Sequence, residues 1–137
     1  MRFMIIVKAT PNTEAGVMPE EALMASMADF HEQLAQAGVL LDASGLQPSA
    51  KGWRIRHGAD GQRTVVDGPF TESKELVAGY TLIQVRSREE ALAWTSRFPA
   101  PMGDGEAADI EVRQLYELDD FGSSDATARF RELSLQH

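Results

Sequence analysis

Two groups of side chains in this 137-residue chain could do proton chemistry: the run Asp67-Gly68-Pro69-Phe70-Thr71-Glu72-Ser73-Lys74-Glu75, and the histidines His31, His57 and His137. Gly68-Pro69 must end whatever strand precedes it, because Pro cannot donate to a ladder and restricts the residue before it. Asp67 thereby loses its simplest partner. A loop Asp commonly accepts from the N–H two residues on, and Pro69 has none. Its carboxylate must then turn to the amides of Phe70 or Thr71, to a cation, or to a ligand. Phe70 is the apolar anchor of the turn, and Thr71 suits the cap of a short helix running through Glu75. A carboxylate at Asp67 and an ammonium at Lys74 beside one cleft could transfer a proton to a small acid or enol and hold its charge. The same residues also fit a braced turn followed by a solvated helical face.

The histidines carry less information. His31 lies about 40 to 100 degrees around a helix from its apolar stripe, at the edge of a helix-sheet interface. His57 is in phase with Trp53 and Ile55 on a strand and should point to their side. No two histidines stand at helical ligand spacing, so metal binding has no local support. Cysteine is absent, which excludes disulfides, thiolate metal sites and thiol nucleophiles and is compatible with a reducing compartment. A phosphate-binding Gly-rich loop and a Gly-x-Ser-x-Gly elbow are both missing, and no cofactor is expected. A net charge of −8 argues against nucleic acid as a partner. The apolar stretch at the amino terminus is too short for a signal peptide and no segment is long enough to span a bilayer, so a cytoplasmic location is the expectation.

The elements that must position these groups can be read from periodicity. Phe3 to Val7 is apolar at successive positions, the pattern of a central strand covered on both faces. Pro11 to Val17 reads as a loop. A helix follows with Pro19 at its first position, drawing one stripe through Leu23, Met27, Phe30 and Leu34 before Gly38 stops it. Val39 to Leu41 open a second strand, followed by a hairpin of Trp53 to His57 and Arg63 to Val66. Val77 to Val85 is a further strand. Ser87-Arg88-Glu89-Glu90 is a capping-box pattern opening a helix with Ala91, Trp94 and Phe98 on one face. Ile110 to Arg113 alternates as a last strand. Residues 1–121 form one domain on this reading, and 122–137 a tail with a short amphipathic stretch from Ala126 to Leu135. With the hairpin set aside, the order is strand, helix, strand, strand, helix, strand. That order predicts an α+β, ferredoxin-like split βαβ domain with an inserted β-hairpin. Both helices then cover one face of the sheet, and a second copy covering the other would explain the doubly apolar first strand.

The run Asp67-Gly68-Pro69-Phe70 with Thr71 to Glu75 resembles the DGPF-motif proteins of the YciI-like (YCII-related) family. The likeness extends to Ala37-Gly38-Val39-Leu40-Leu41, Ser44-Gly45-Leu46 with Pro48-Ser49, Ala78-Gly79-Tyr80, and the helix from Glu89 to Phe98. It implies a dimeric α/β barrel with a cleft near the dimer interface. Some relatives in the wider group act on small ring compounds, and others are encoded near alternative sigma factors. A histidine on the first helix, paired with an aspartate, is the acid/base device of that group. Counted back from Gly38, this histidine would fall near Met27, whereas the helical histidine of this chain is His31, one turn later.

Two functional expectations follow. The first is a homodimer that binds or transforms a small anionic or cyclic metabolite, with Asp67 and His31 as catalytic candidates and Ser44, Gly68, Pro69, Phe70 and Lys74 as ligand-binding ones. The second is a non-catalytic ligand-sensing or protein-interaction module. An enzyme needs two titratable groups converging on one point, whereas a binding module needs only shape and a few polar anchors.

Overall fold

The computed structural model describes residues 1–133. In chain order, strand β1 (Arg2–Lys8) is followed by helices α1 (Pro11–Glu14) and α2 (Glu21–Gln36), strands β2 (Leu40–Gly45), β3 (Trp53–His57), β4 (Arg63–Asp67) and β5 (Val77–Gln84), helix α3 (Arg88–Thr95), strand β6 (Ile110–Gln114) and helix α4 (Asp125–Glu132). Four strands form one sheet in the order β2-β5-β1-β6, and β3 pairs only with β4. Every pairing is antiparallel. The molecule is therefore an α+β protein with antiparallel sheets.

Helices α2 and α3 cover one face of the four-stranded sheet. The core joins Phe3 and Ile5 of β1, Phe30 and Leu34 of α2, Ile83 of β5 and Ala91 of α3, with Val39 and Val85 beside them. Ile5, Leu34 and Ile83 are fully buried, and each contributes roughly 1.5–3 kcal/mol by leaving water. The expected stripe of α2 is the buried one: Phe30 and Leu34 are sealed, and Leu23 and Met27 are half-buried. Gly38, at φ 74°, ends the run in a conformation that other residues adopt at a cost.

Within one chain β1 is not covered on both sides. Phe3 and Ile5 are buried under the helices, while Met4 and Ile6, which alternate with them, are half-buried on the opposite face. The register puts Leu82 opposite Met4 and Tyr80 opposite Ile6 on that same face.

Two boundaries differ from the periodic reading. The loop after β1 contains the single turn α1, closed by a reciprocal cap in which the hydroxyls of Thr10 and Thr13 each accept from the other's main-chain N–H, with Pro11 opening the turn. Helix α2 begins at Glu21 rather than Pro19. Ser87 does cap α3 by accepting from the Glu90 amide, but the Glu90 carboxylate accepts from the Arg86 amide instead of completing the box at Ser87. The amphipathic stretch expected over Ala126 to Leu135 is helix α4 over Asp125–Glu132. Leu135 and His137 lie outside the described residues.

Candidate functional site

The Asp67-Gly68-Pro69-Phe70 motif directly continues β4, and its course is fixed by a backbone collision rather than by its carboxylate. A Cβ built on Gly68 would stand 1.8 Å from the Ser49 carbonyl oxygen. Only glycine lets the two segments pass. The Gly68 amide donates to the Gly52 carbonyl at 3.0 Å, and the Phe70 amide donates to Ser49 Oγ at 3.0 Å. Ser49 Oγ in turn donates to Glu14 Oε2 at 2.5 Å, and its main-chain N–H reaches both Glu14 oxygens at 3.2 Å. A charge-assisted bond of this kind is roughly twice as strong as a neutral one. Glu14 on α1, the turn at Ser49 and the motif are thus one knot.

Phe70 is held from the other side. The Arg54 guanidinium lies 3.7 Å from the centre of its ring and pairs loosely with Glu72 at 3.7 Å. Arg54 is on β3, opposite Val66. Asp67 is opposite Trp53, so its side chain leaves the hairpin on the face away from Arg54 and Phe70. The Phe70 amide, one of the donors expected for Asp67, is taken by Ser49. Among the described residues the exposed Asp67 carboxylate makes no hydrogen bond or ion pair, and neither does Lys74.

His31 sits where its helical phase predicts, half-buried between α2 and the sheet. Its Nδ1 lies 2.7 Å from the Met27 carbonyl oxygen and its Nε2 2.8 Å from Thr81 Oγ1. A carbonyl can only accept, so Nδ1 carries the proton, and in the neutral ring Nε2 accepts from the Thr81 hydroxyl. Both nitrogens are committed. Edge contacts to Phe30 and Phe98, with ring centres 5.8 and 6.2 Å away, complete the packing. His31 and Asp67 are not joined by any hydrogen bond. His57 shares its hairpin face with Trp53 and Ile55, as its phase requires.

Ser44 falls in a different group. It lies opposite Tyr80 in the β2-β5 ladder, and Asp42 lies opposite Leu82. All four occupy the sheet face that α2 and α3 leave open. The Tyr80 hydroxyl donates to Asp42 Oδ2 at 2.8 Å. This gives three polar side chains beside the half-buried floor of Met4, Ile6 and Leu82. Gly79 admits a close approach, and the group that approaches is the Ser44 carbonyl, 3.0 Å from where a Gly79 Cβ would stand.

Sequence reasoning passed over Glu14, Thr81, the bracing role of Ser49, and the pairing of Asp42 with Tyr80. Two of these carried a signal. Thr10-Pro11 is a helix start that places Glu14 on a turn, and Asp42 and Ser44 stand at i and i+2 on a strand, hence on one face. The Ser49–Glu14 bond spans 35 residues and had none.

Two open depressions lie away from the motif, one lined by Gly38, Val39, Gln84, Val85 and Glu90 at the opposite end of β5, the other against Ala126, Phe130 and Leu133 of the α4 region. Among the described residues no three His, Asp or Glu side chains are grouped so as to hold a metal ion, and no helix is long and apolar enough to cross a membrane.

An antiparallel α+β domain with two helices on one sheet face and this motif after a hairpin defines a class, and comparison with known proteins gives the family. Residues 1–116 match the YCII-related domain, and the chain belongs to that family. An uncharacterized protein of Rhizobium meliloti (strain 1021) is 36% identical over 73 residues. That match covers 53% of this chain and 58% of the relative's length. Among solved structures, a 5-chloro-2-hydroxyhydroquinone dehydrochlorinase from Burkholderia phenoliruptrix AC1100, in complex with 2,5-dihydroxybenzoquinone, is similar at a TM-score of 0.43 and 15% identity. The likeness covers 85% of this chain and 95% of that one.

Proposed function

We propose that this protein binds a small cyclic metabolite on the sheet face that α2 and α3 leave open, with Tyr80, Asp42 and Ser44 as its polar anchors. One observation carries the reading: the 2.8 Å bond from the Tyr80 hydroxyl to Asp42 stands beside a half-buried apolar floor. An apolar surface with a few convergent polar groups is the general form of a small-molecule site. Asp42 makes the site acceptor-rich, which favours a hydroxylated ring over an anion. The ring would lie on Met4, Ile6 and Leu82 and present a hydroxyl to the carboxylate, in place of or beside the Tyr80 hydroxyl. A phenol hydrogen-bonded to a carboxylate can also exchange a proton with such a ligand.

The subunit in this reading is ferredoxin-like and works as a homodimer, a second copy covering Met4, Ile6 and Leu82 and enclosing the ligand. A half-buried apolar strand face supports that arrangement. The engagement of both His31 nitrogens in packing favours binding over His-Asp acid/base chemistry, so the non-catalytic module remains the second reading.

Titrating the purified protein with hydroxylated and carboxylated ring compounds by calorimetry tests the site. A binder should lose roughly tenfold in affinity in Tyr80→Phe and in Asp42→Asn, the size of one buried ligand hydrogen bond. Affinity unmoved by both changes overturns the location. Turnover of the bound compound separates the enzyme from the module.

A further inference from the structure

The β3-β4 hairpin carries a second unpartnered surface, on the face opposite Phe70. Trp53, Ile55 and Val65 are 64%, 45% and 64% exposed. The ladder pairs Trp53 with Asp67, Ile55 with Val65 and His57 with Arg63, so these six side chains share one face. Its middle is apolar. One end carries Asp67, with no partner among the described residues, and the other carries the basic pair Arg63 and His57.

We propose that this face is closed by the same hairpin of a second copy of the chain, and that the partner's Arg63 is the counter-charge of Asp67. The pattern is self-complementary under one particular twofold axis, the one running across the strands along the line from Ile55 to Val65. Asp67 and Arg63 stand two residues to either side of Val65, roughly 7 Å each way along an extended strand. A half-turn about that axis lays Val65 on the partner's Val65 and Asp67 on the partner's Arg63, twice by symmetry. A twofold along the strands would instead gather the basic ends of both hairpins, with like charges facing. Only the crossing axis pairs opposite charges around a shared apolar centre. Six side chains per copy make a patch smaller than a stable specific interface, so the contact by itself is weak and reversible.

This contact is independent of the open sheet face and of any ligand there. The absence of cysteine makes it directly testable, because a single introduced thiol finds its only protein partner in the same thiol of another copy. Val65→Cys lies on the axis and should give a disulfide-linked dimer under mild oxidation, whereas Thr64→Cys, on the other hairpin face, should stay unlinked. Ile55→Cys, also on the axis, serves if Val65→Cys fails to fold. In the Val65→Cys background, Asp67→Arg should slow linkage roughly tenfold, and adding Arg63→Asp should restore it, since the exchanged pair is again opposite in sign. Linkage at position 65 no faster than at 64, or failure of the double exchange to rescue, overturns the proposal. A dimeric mass with no linkage at 65 or 55 overturns the hairpin contact alone and leaves the sheet-face dimer standing.

Discussion

In β1 the side chains of Phe3 and Ile5 are sealed beneath α2 and α3, whereas in β3 every side chain is exposed, although Trp53 and Ile55 are as apolar as their counterparts. Both segments are strands hydrogen-bonded to antiparallel neighbours. The sheet draws its stability from area removed from water; the hairpin is placed by a few polar bonds and one steric fit at Ser49. Strand formation and burial are thus separate achievements. An element that is folded but unburied keeps its apolar residues available for something outside the chain.

If that contrast holds, the two regions should respond to substitution through different mechanisms. Leu34→Ala, at a fully buried position, should cost about 3–4 kcal/mol in denaturant unfolding, from lost transfer energy and the cavity left behind. Val65→Ala in the hairpin should move the same midpoint by less than about 0.5 kcal/mol. Comparable losses at the two sites would show that the hairpin belongs to the core.

Gly68→Ala should come next, at about 2–3 kcal/mol, because its new methyl would meet the Ser49 carbonyl 1.8 Å away. The damage should be local. Amide exchange should speed up across β3, β4 and the motif while the β1-β5 ladder keeps its protection. Equal loss of protection in both sheets would mean that the hairpin and body unfold as one unit.

Ser49→Ala should cost less than Gly68→Ala, about 1–2 kcal/mol, by leaving the Phe70 amide without its acceptor and Glu14 with the Ser49 main-chain N–H as its single donor. Faster proteolysis between residues 67 and 76 would report the loosened motif. If cleavage and exchange there match the parent chain, the Arg54–Phe70 contact is sufficient to hold the turn without Ser49.

The stripe Leu23, Met27, Phe30 and Leu34 was legible because a helix repeats locally and its burial follows from phase alone. The edge position of His31 followed from the same phase, and the common face of Trp53, Ile55 and His57 from the two-residue alternation of a strand. In the first strand, unbroken apolarity specifies what can be covered and not what covers it: within one chain Met4 and Ile6 are only half-buried. Glu14 could be placed on a turn by Thr10-Pro11, yet nothing near it named Ser49 as its partner. Asp67 shows the same limit in reverse. Pro69 removes its local donor, a fact of covalent structure, but the fate of the Phe70 amide depended on a serine 21 residues away.

The amino-acid sequence by itself therefore determined the element order, the buried stripe of α2, the hairpin, and an aspartate deprived of its nearest amide. These depend on dihedral preference and short-range periodicity. Only the tertiary structure decided that Ser49 and Glu14 tie down the motif, that His31 is spent on Met27 and Thr81, and that Tyr80 meets Asp42 on the open sheet face. Apart from the His31–Met27 contact, which is one helical turn, each of those pairings depends on which distant segments the fold brings within about 3 Å, a distance at which a hydrogen bond forms or does not.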